Sequence, residues 1–221
     1  IEGPVPLCCM ARRRPNSMTG ESMGAKEEIA NSFRDLIVNK GVPYEKVAVY
    51  QICDQAGVSR KTFYVHYKSK ADIVDQVVSD RIVAPLAKMN DASVVLMQNQ
   101  AMLEHFPEAI NELVYKAIRD DAEFYSRLCC KAGSLDSPFV EALIKAIQEL
   151  NLKMLDVIGF AGPEWKKDYI SYFHAAGNAV LVQRWIRRGM KETPEELAKL
   201  FNQMDTPHWL SLANLSGATR G

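Results

Sequence analysis

The sequence has no long apolar run and no cysteine-rich pattern. No apolar stretch reaches the roughly 18 residues that would cross a bilayer, so we expect no membrane-spanning helix. The five cysteines include the adjacent pairs Cys8-Cys9 and Cys129-Cys130, and neither pair has C-x-x-C spacing. We interpret Cys129-Cys130 as small buried residues, with a redox or metal sensor as the alternative. This cysteine usage favours a reduced, cytoplasmic compartment.

The sequence patterns of common enzymes are also missing. The chain has no phosphate-binding glycine loop, no zinc-ligand spacing, no paired carboxylates and no Ser/His/Asp order. We interpret His105 and His174 as helix-face or core histidines instead of metal ligands or bases. The expectation is therefore a protein that is not an enzyme and that has no catalytic residue, metal or cofactor.

Charge, by contrast, is distributed unevenly along the chain. The formal net charge is zero. Between Ala11 and Lys70, however, eleven Lys or Arg accompany only six Asp or Glu, so the rest of the chain has the compensating negative excess. A basic N-terminal region indicates an anionic partner. The run Arg12 to Arg14 is predicted to belong to a flexible tail, with an arm in the minor groove as the alternative.

Apolar residues recur at helical spacing through most of the chain. Residues 1–24 lack this periodicity and are predicted to be a flexible tail, and residues 210–221 are expected to fray. No stretch alternates as a half-buried strand would, so the predicted fold class is all-α. The predicted helix boundaries are ends at Gly41, Gly57, Gly133, Gly159 and Gly189, and starts at Pro107, Ser137-Pro138 and the capping box Thr193-Pro194-Glu195-Glu196.

Residues 47–67 have the spacing of a helix-turn-helix. Gly57 suits a left-handed turn position, and Ser59 is a preferred residue for capping the second helix. Phe63 and Tyr67 are four residues apart, so they share a helix face and can pack in a small core. We expect Phe33, Val49 and Ile52 to complete that core.

The other residues of the second helix point outward, and their chemistry suits DNA. Arg60 and Lys61 can donate hydrogen bonds to guanine, while Thr62 and Val65 can contact a thymine methyl group. Such base contacts come from the N-terminal part of a recognition helix. Two lysines just beyond the helix, Lys68 and Lys70, are placed where phosphates flank the groove.

The stretch AGVSRKTFYVHYKSKADIV, within about residues 26 to 80, resembles the DNA-binding signature of the TetR (tetracycline-repressor) family of transcriptional regulators. Two positions depart from its pattern. The family usually has Thr or Ser where this chain has Ala48, and Arg or Lys where it has Tyr50. The longer stretch VPYEKVAVYQICDQAGVSRKTFYVHY also resembles the subgroup that includes regulators of dihydroxyacetone-kinase operons. The resemblance assigns DNA contacts to Arg60, Lys61, Thr62, Tyr64, His66, Lys68 and Lys70, and Tyr50 can still bond a phosphate.

The resemblance also implies an architecture. It predicts a three-helix DNA-binding domain at residues 25–70 and a larger helical bundle at residues 71–209 for ligand binding and dimerisation. The stretch WIRRGMKETPEELAKLF resembles the family's C-terminal signature. The implied dimerisation residues are Ala176, Gly177, Val180, Trp185, Leu197 and Phe201. The candidate ligand-binding residues are Met97, Met102, Phe106, Leu113, Phe124, Leu128, Ile147, Met154, Tyr172 and Phe173.

The function that the resemblance implies is a ligand-responsive regulator. The expected partners are double-stranded DNA, a second copy of the chain and a small apolar or amphipathic effector that releases a repressor from a palindromic operator. The alternative is a co-activator of the same family whose C-terminal domain binds a protein instead of a small ligand.

Overall fold

The computed structural model describes residues 20–85, 100–129 and 137–218, and these residues are almost entirely α-helical, as predicted. Helices α1 to α3 form the N-terminal head, together with a short 3-10 turn at Tyr44–Lys46. No helix among the described residues has the length and apolar character needed to span a membrane. The helices are α1 Gly20–Val38, α2 Val49–Ala56, α3 Arg60–His66, α4 Lys70–Val78, α5 Gln100–Asp120, α6 Ala122–Leu128, α7 Pro138–Val157, α8 Glu164–Arg187 and α9 Pro194–Ala218.

Helix α4 joins the head to the C-terminal bundle. It continues into a single π-type turn at Ser79–Val83 and packs against α7. Within the bundle, α7 pairs with α8 and α5 pairs with α9. One apolar cluster runs through both parts, because Phe33 of α1 meets Phe124 of α6 edge to face, with ring centroids 6.2 Å apart. Packed side chains therefore connect the bundle to the head.

The turn between α8 and α9 follows the predicted signals. Gly189 adopts a φ of 80°, in the left-handed region that glycine occupies without strain. The Trp185 side chain is buried, and its Nε1 donates to the Glu192 carbonyl at 3.0 Å. Helix α9 then opens with the predicted capping box, in which the Thr193 amide donates to Glu196 Oε2 and the Glu196 amide donates to Thr193 Oγ1.

Three helix ends differ from the sequence prediction. Helix α1 begins at Gly20, α5 begins at Gln100 with Pro107 inside it, and α9 continues to Ala218. The segment added to α5, Gln100 to Phe106, is rich in good helix formers such as Ala, Met, Leu and Glu. At the C-terminal end, Leu212 is also buried, so packing extends α9 beyond the predicted limit.

Candidate nucleic-acid interface

The turn between α2 and α3 is built as the sequence predicted. Gly57 has a φ of 64°, and the next amide, of Val58, donates to the Cys53 carbonyl at 3.0 Å, which closes a Schellman-type end on α2. Ser59 then caps α3, because its hydroxyl accepts the Thr62 amide at 3.0 Å. These local bonds fix the angle at which α3 leaves the turn.

Two aromatic side chains hold α3 against the head. Phe63 and Tyr67 are buried, and their ring centroids are 5.9 Å apart. The Tyr67 hydroxyl donates to the Lys26 carbonyl of α1 at 3.3 Å. Burial raises the pKa of Tyr67 to about 12, so the hydroxyl stays protonated as a donor within the head. It is engaged there and does not face the exposed side of α3.

The side of α3 opposite these rings is exposed. Arg60 and Lys61 lie at its N-terminal end with exposed side chains, in the outward position that the sequence predicted. Tyr64 and Val65 follow in the second turn and are 57% and 71% exposed. The Tyr64 ring rests edge to face on Phe63 at 5.3 Å, which restricts where its hydroxyl can point. We name Arg60, Lys61, Tyr64 and Val65 the α3 outer face.

Three other predicted DNA residues lie beside this face. Thr62 is half-buried, and its hydroxyl lies 2.9 Å from that of Ser59, so it also takes part in the helix cap. His66 is half-buried in the last turn of α3. Lys68 is exposed, and within the part of the chain that the structure describes only its backbone amide is engaged, by the Asp72 carboxylate at 2.7 Å. The Lys68 ammonium therefore remains a candidate phosphate contact.

Lys70 differs from the role expected for it. Its Nζ donates to the carbonyl oxygens of Tyr44 and Val47 at 2.7 and 2.9 Å, with a longer bond of 3.3 Å to Glu45. It also lies 4.4 Å from the centroid of the Tyr44 ring. Burial lowers the pKa of this ammonium. Because its donors are turned inward, Lys70 ties the 3-10 turn to the start of α4 and is not presented to a phosphate.

Helix α2 lies beside the turn with Tyr50 exposed on its first turn. Its capping residue, Ala48, has no side chain that could accept a hydrogen bond, as the sequence indicated. Gln51 compensates in part, because its Oε1 accepts the Ala48 amide at 2.8 Å. Tyr50 thus stays available as an uncharged hydrogen-bonding group at the start of α2.

The candidate ligand-binding residues are dispersed in the structure. Phe124 and Leu128 are fully packed in the core, Ile147 and Met154 are partly buried on α7, and Leu113 is exposed. Met97 and the side chains of Met102 and Phe106 lie outside the described residues. Tyr172 and Phe173 are exposed on α8, away from the interior where they were expected.

The predicted dimerisation residues also divide into two groups. Trp185, Leu197 and Phe201 are buried within the chain, where they pack α8 and α9 into the bundle. Ala176 is partly buried, while Gly177 and Val180 are exposed. The outward side of α8 instead exposes four aromatic residues and one valine, which we name the α8 aromatic face. Its members are Trp165, Tyr169, Tyr172, Phe173 and Val180.

The aromatic members of this face share one helical spacing. Trp165, Tyr169, Tyr172 and Phe173 occur at i, i+4, i+7 and i+8, the spacing of one helix face. The opposite side of α8 is unusually polar, since Ser171, His174 and Asn178 are all buried. Helix α8 therefore exposes aromatic rings on one side and packs polar as well as apolar groups into the bundle on the other.

Two of the inward polar groups, Asn178 and His174, are hydrogen-bonded across the bundle. The Tyr115 hydroxyl of α5 donates to Asn178 Oδ1 at 3.3 Å, and Asn178 Nδ2 donates to Asn111 Oδ1 at 3.2 Å. His174 Nδ1 pairs with the Asp205 carboxylate of α9, which also accepts Trp209 Nε1 at 2.7 Å. These bonds explain why the polar side of α8 can face inward.

A three-residue ion cluster connects the head to the bundle. The Asp121 carboxylate, at the start of α6, accepts Arg34 of α1 at 2.5 and 3.1 Å. It also accepts Arg81, from the π-type turn, at 2.8 Å. The hydrogen bond to Asp121 raises the pKa of the Arg34 guanidinium. One carboxylate thereby ties α1 and the end of α4 to the bundle, and we name these three residues the Asp121 clamp.

Comparison with known structures supports this fold. A protein assigned to the TetR family from Syntrophomonas wolfei is 18% identical, with a TM-score of 0.58 over 86% of this chain and 95% of its own. A TetR transcriptional regulator from Streptococcus agalactiae is 19% identical, with a TM-score of 0.51 over 83% and 94%. The dihydroxyacetone kinase operon activator DhaS is 19% identical over 88% and 95%, but its TM-score of 0.43 supports no further argument. The predicted subgroup therefore stays a prediction.

Family models complete the comparison. The model of bacterial regulatory proteins of the tetR family matches residues 36–77, which include α2, α3 and most of α4. A model of the C-terminal region of transcriptional regulators of this family matches residues 104–206. No curated protein matches the chain in sequence. Since the two models together span about two thirds of the 221 residues, in the order head then bundle, the chain belongs to the TetR family of transcriptional regulators, which have a DNA-binding domain and are not enzymes.

Proposed function

We propose that this regulator binds a palindromic DNA operator as a homodimer, represses transcription there, and is released by a small effector. The observation that carries the DNA contact is the α3 outer face, where Arg60, Lys61 and Tyr64 are exposed opposite the buried ring of Phe63. A recognition helix anchored on one side and cationic on the other suits insertion into the major groove. Lys68 and Tyr50 would flank it with phosphate contacts.

The α8 aromatic face supports dimerisation. Tyr169 and Phe173 are 72% and 70% exposed, and large apolar surfaces left uncovered on one chain usually mark an interface. Ala176 and Gly177 lie beside these rings, and their small side chains let a facing helix approach closely. A second copy of α8 is a fitting occupant, because a twofold contact pairs the same surface with itself. Leu200 and Met204, exposed on α9, would extend this interface.

A twofold dimer makes a prediction about the operator. Its two α3 helices would enter successive major grooves, so the half-site centres should lie about 34 Å apart, one turn of B-DNA. The operator should read as a near-palindrome for the same reason. We place this activity in the cytoplasm, together with the chromosomal DNA of a bacterial cell.

The effector response would act through the connection between bundle and head. The partly buried Ile147 and Met154 of α7 and the polar inward side of α8 give the bundle both apolar and hydrogen-bonding groups, which suits an amphipathic effector. The Asp121 clamp would transmit a shift of α6 to α1 and α4. An effector lowers operator affinity if it binds more tightly to the arrangement in which the two α3 helices do not fit the DNA. The size of the decrease is set by the ratio of the effector's affinities for the two arrangements.

A protein partner is the second candidate, and the exposed rings of the α8 aromatic face are the observation that favours it. In that case the chain would be a co-activator, and the rings would bind a different protein instead of a second copy. Oligomeric state separates the two, because the co-activator reading expects a monomeric chain until the partner is added.

DNase footprinting of the region upstream of the protein's own gene tests the DNA proposal. We expect a protected near-palindrome with wild-type protein and loss of protection with Arg60→Ala. The matched control is Lys153→Ala, which removes an exposed cation from α7 in the bundle. An absence of any protected palindrome, or equal protection by Arg60→Ala, would overturn the proposal.

A further inference from the structure

Val65 is the most exposed of the large apolar residues in the head, and its position is central on α3. It lies two residues after the buried Phe63 and two before the buried Tyr67. Two residues of an α-helix span about 200°, so Val65 points almost directly away from both rings. The residue is 71% exposed. Local packing against the head gives no reason for an apolar side chain there.

Intrinsic preference gives no reason for valine either. A β-branched side chain lowers helix propensity, and an exposed position in a seven-residue helix favours Ala, Lys or Glu. The surroundings of Val65 are cationic, with Lys61 one turn before it and Lys68 three residues after it, both exposed. Cations on both sides of a small apolar patch complement a partner that is anionic and yet presents apolar groups between its charges.

The major groove of DNA has this chemistry. The phosphates line its edges, and the C5 methyl of thymine is the apolar group that a base presents on its floor. An apolar side chain in contact with that methyl distinguishes thymine from cytosine without a hydrogen bond. An apolar protein surface would have no use for the flanking lysines, which would lose their hydration on docking.

We propose that Val65 reads the C5 methyl of a thymine in each operator half-site. This inference rests on the proposed insertion of α3 into the major groove and adds the base that its second turn recognises. Arg60 and Lys61 would read purine edges at neighbouring positions, so the half-site should contain a required thymine that no hydrogen bond from the chain explains.

The test uses deoxyuridine, which pairs as thymidine does but lacks the methyl group. Each thymine of the footprinted operator is replaced in turn, symmetrically in both half-sites, and affinity is measured by fluorescence anisotropy. Removal of one buried methyl from each half-site should weaken wild-type binding about fifteenfold, from roughly 0.8 kcal/mol for each methyl. We expect one symmetric pair of positions to show this loss.

The variant Val65→Ala completes a double-mutant cycle with that substitution. It should bind the thymine operator about as weakly as wild type binds the deoxyuridine operator, and it should then be insensitive to deoxyuridine at the same position. The control Lys61→Ala should lose affinity and keep the full sensitivity. Circular dichroism checks that Val65→Ala remains helical, as an exposed alanine should.

Two outcomes overturn the inference alone. One is specific operator binding by the wild type with every thymine replaceable at no cost, and the other is a Val65→Ala variant that keeps the whole loss of affinity on replacement. A wild-type protein that binds no specific DNA overturns the proposed function as well, so failure of the inference and failure of the function give different results.

Discussion

The α3 outer face and the α8 aromatic face both expose apolar side chains, but their surroundings differ in charge. On α3, Tyr64 and Val65 lie one helical turn after the cations Arg60 and Lys61, on the same face. On α8, the members of the face and the intervening Ala176 and Gly177 are uncharged, and the exposed charges Lys166 and Asp168 lie beside its first turns. Exposed rings interleaved with cations suit a polyanion, whereas exposed rings alone suit a second protein surface. The charge around the exposed rings, more than the rings themselves, therefore indicates whether a surface suits DNA or another protein.

The largest expected effect comes from removal of the cations of α3. The double variant Arg60→Ala/Lys61→Ala should lower operator affinity at least about a hundredfold at 150 mM salt, because two groups that contact DNA are lost from each half-site. Gel-shift titration measures the loss. Lys153→Ala on α7 should bind as wild type does, and a double variant that kept its affinity would contradict the assignment of the α3 outer face.

Charge placed on the α8 aromatic face should break the dimer and leave each chain folded. The double variant Tyr169→Glu/Phe173→Glu buries like charges across the twofold axis, so we expect the dimer dissociation constant to rise at least about a hundredfold. Sedimentation equilibrium measures it. The matched variant Tyr64→Glu on α3 should stay dimeric and lose DNA binding. If both variants remained dimeric, α8 would not be the interface.

The Asp121 clamp should matter for stability as well as for coupling. Asp121→Asn keeps the shape but removes the charge that pairs with Arg34 and Arg81, so the free energy of unfolding should fall by about 1–3 kcal/mol. Urea denaturation measures this change. Lys145→Ala, which breaks a more exposed pair with Asp75, should cost less than about 1 kcal/mol. Equal losses would show that the clamp has no special role.

The smallest effect distinguishes two neighbouring lysines. Lys68→Ala should weaken DNA binding severalfold and reduce the slope of log affinity against log salt by about one for each chain, because one phosphate contact is lost. Lys70→Met should lower thermal stability through the carbonyl bonds that it breaks and leave the salt slope unchanged. A reduced salt slope for Lys70→Met would instead support the phosphate contact that the sequence predicted for Lys70.

Local sequence signals predicted the turn between α2 and α3 and the anchoring of α3 well. Gly57, Ser59, Phe63 and Tyr67 are set by turn, cap and spacing rules that act within a few residues, and the structure has all four as predicted. Lys70 could not be predicted this way. Its carbonyl partners lie more than twenty residues earlier, in a 3-10 turn that brings them to the ammonium only in the folded chain.

The two sides of α8 could not be assigned for a related reason. Apolar or aromatic residues lie on every side of this helix, so periodicity does not show whether Trp185 or Tyr172 faces the bundle. The decision comes from partners on other helices, since Asn111 and Tyr115 of α5 and Asp205 of α9 bond the polar side of α8. A rule that places apolar residues inside cannot predict such polar partners.

Selection of bound sequences from random double-stranded DNA tests the central claim most directly, because it assumes no promoter. The account predicts that wild-type protein enriches one near-palindrome whose half-site centres lie about one helical turn apart. It also predicts that Arg60→Ala/Lys61→Ala enriches none and that Tyr169→Glu/Phe173→Glu enriches none or only a single half-site. Enrichment of the same palindrome by the α3 variant, or of an asymmetric site by the wild-type protein, would contradict the account.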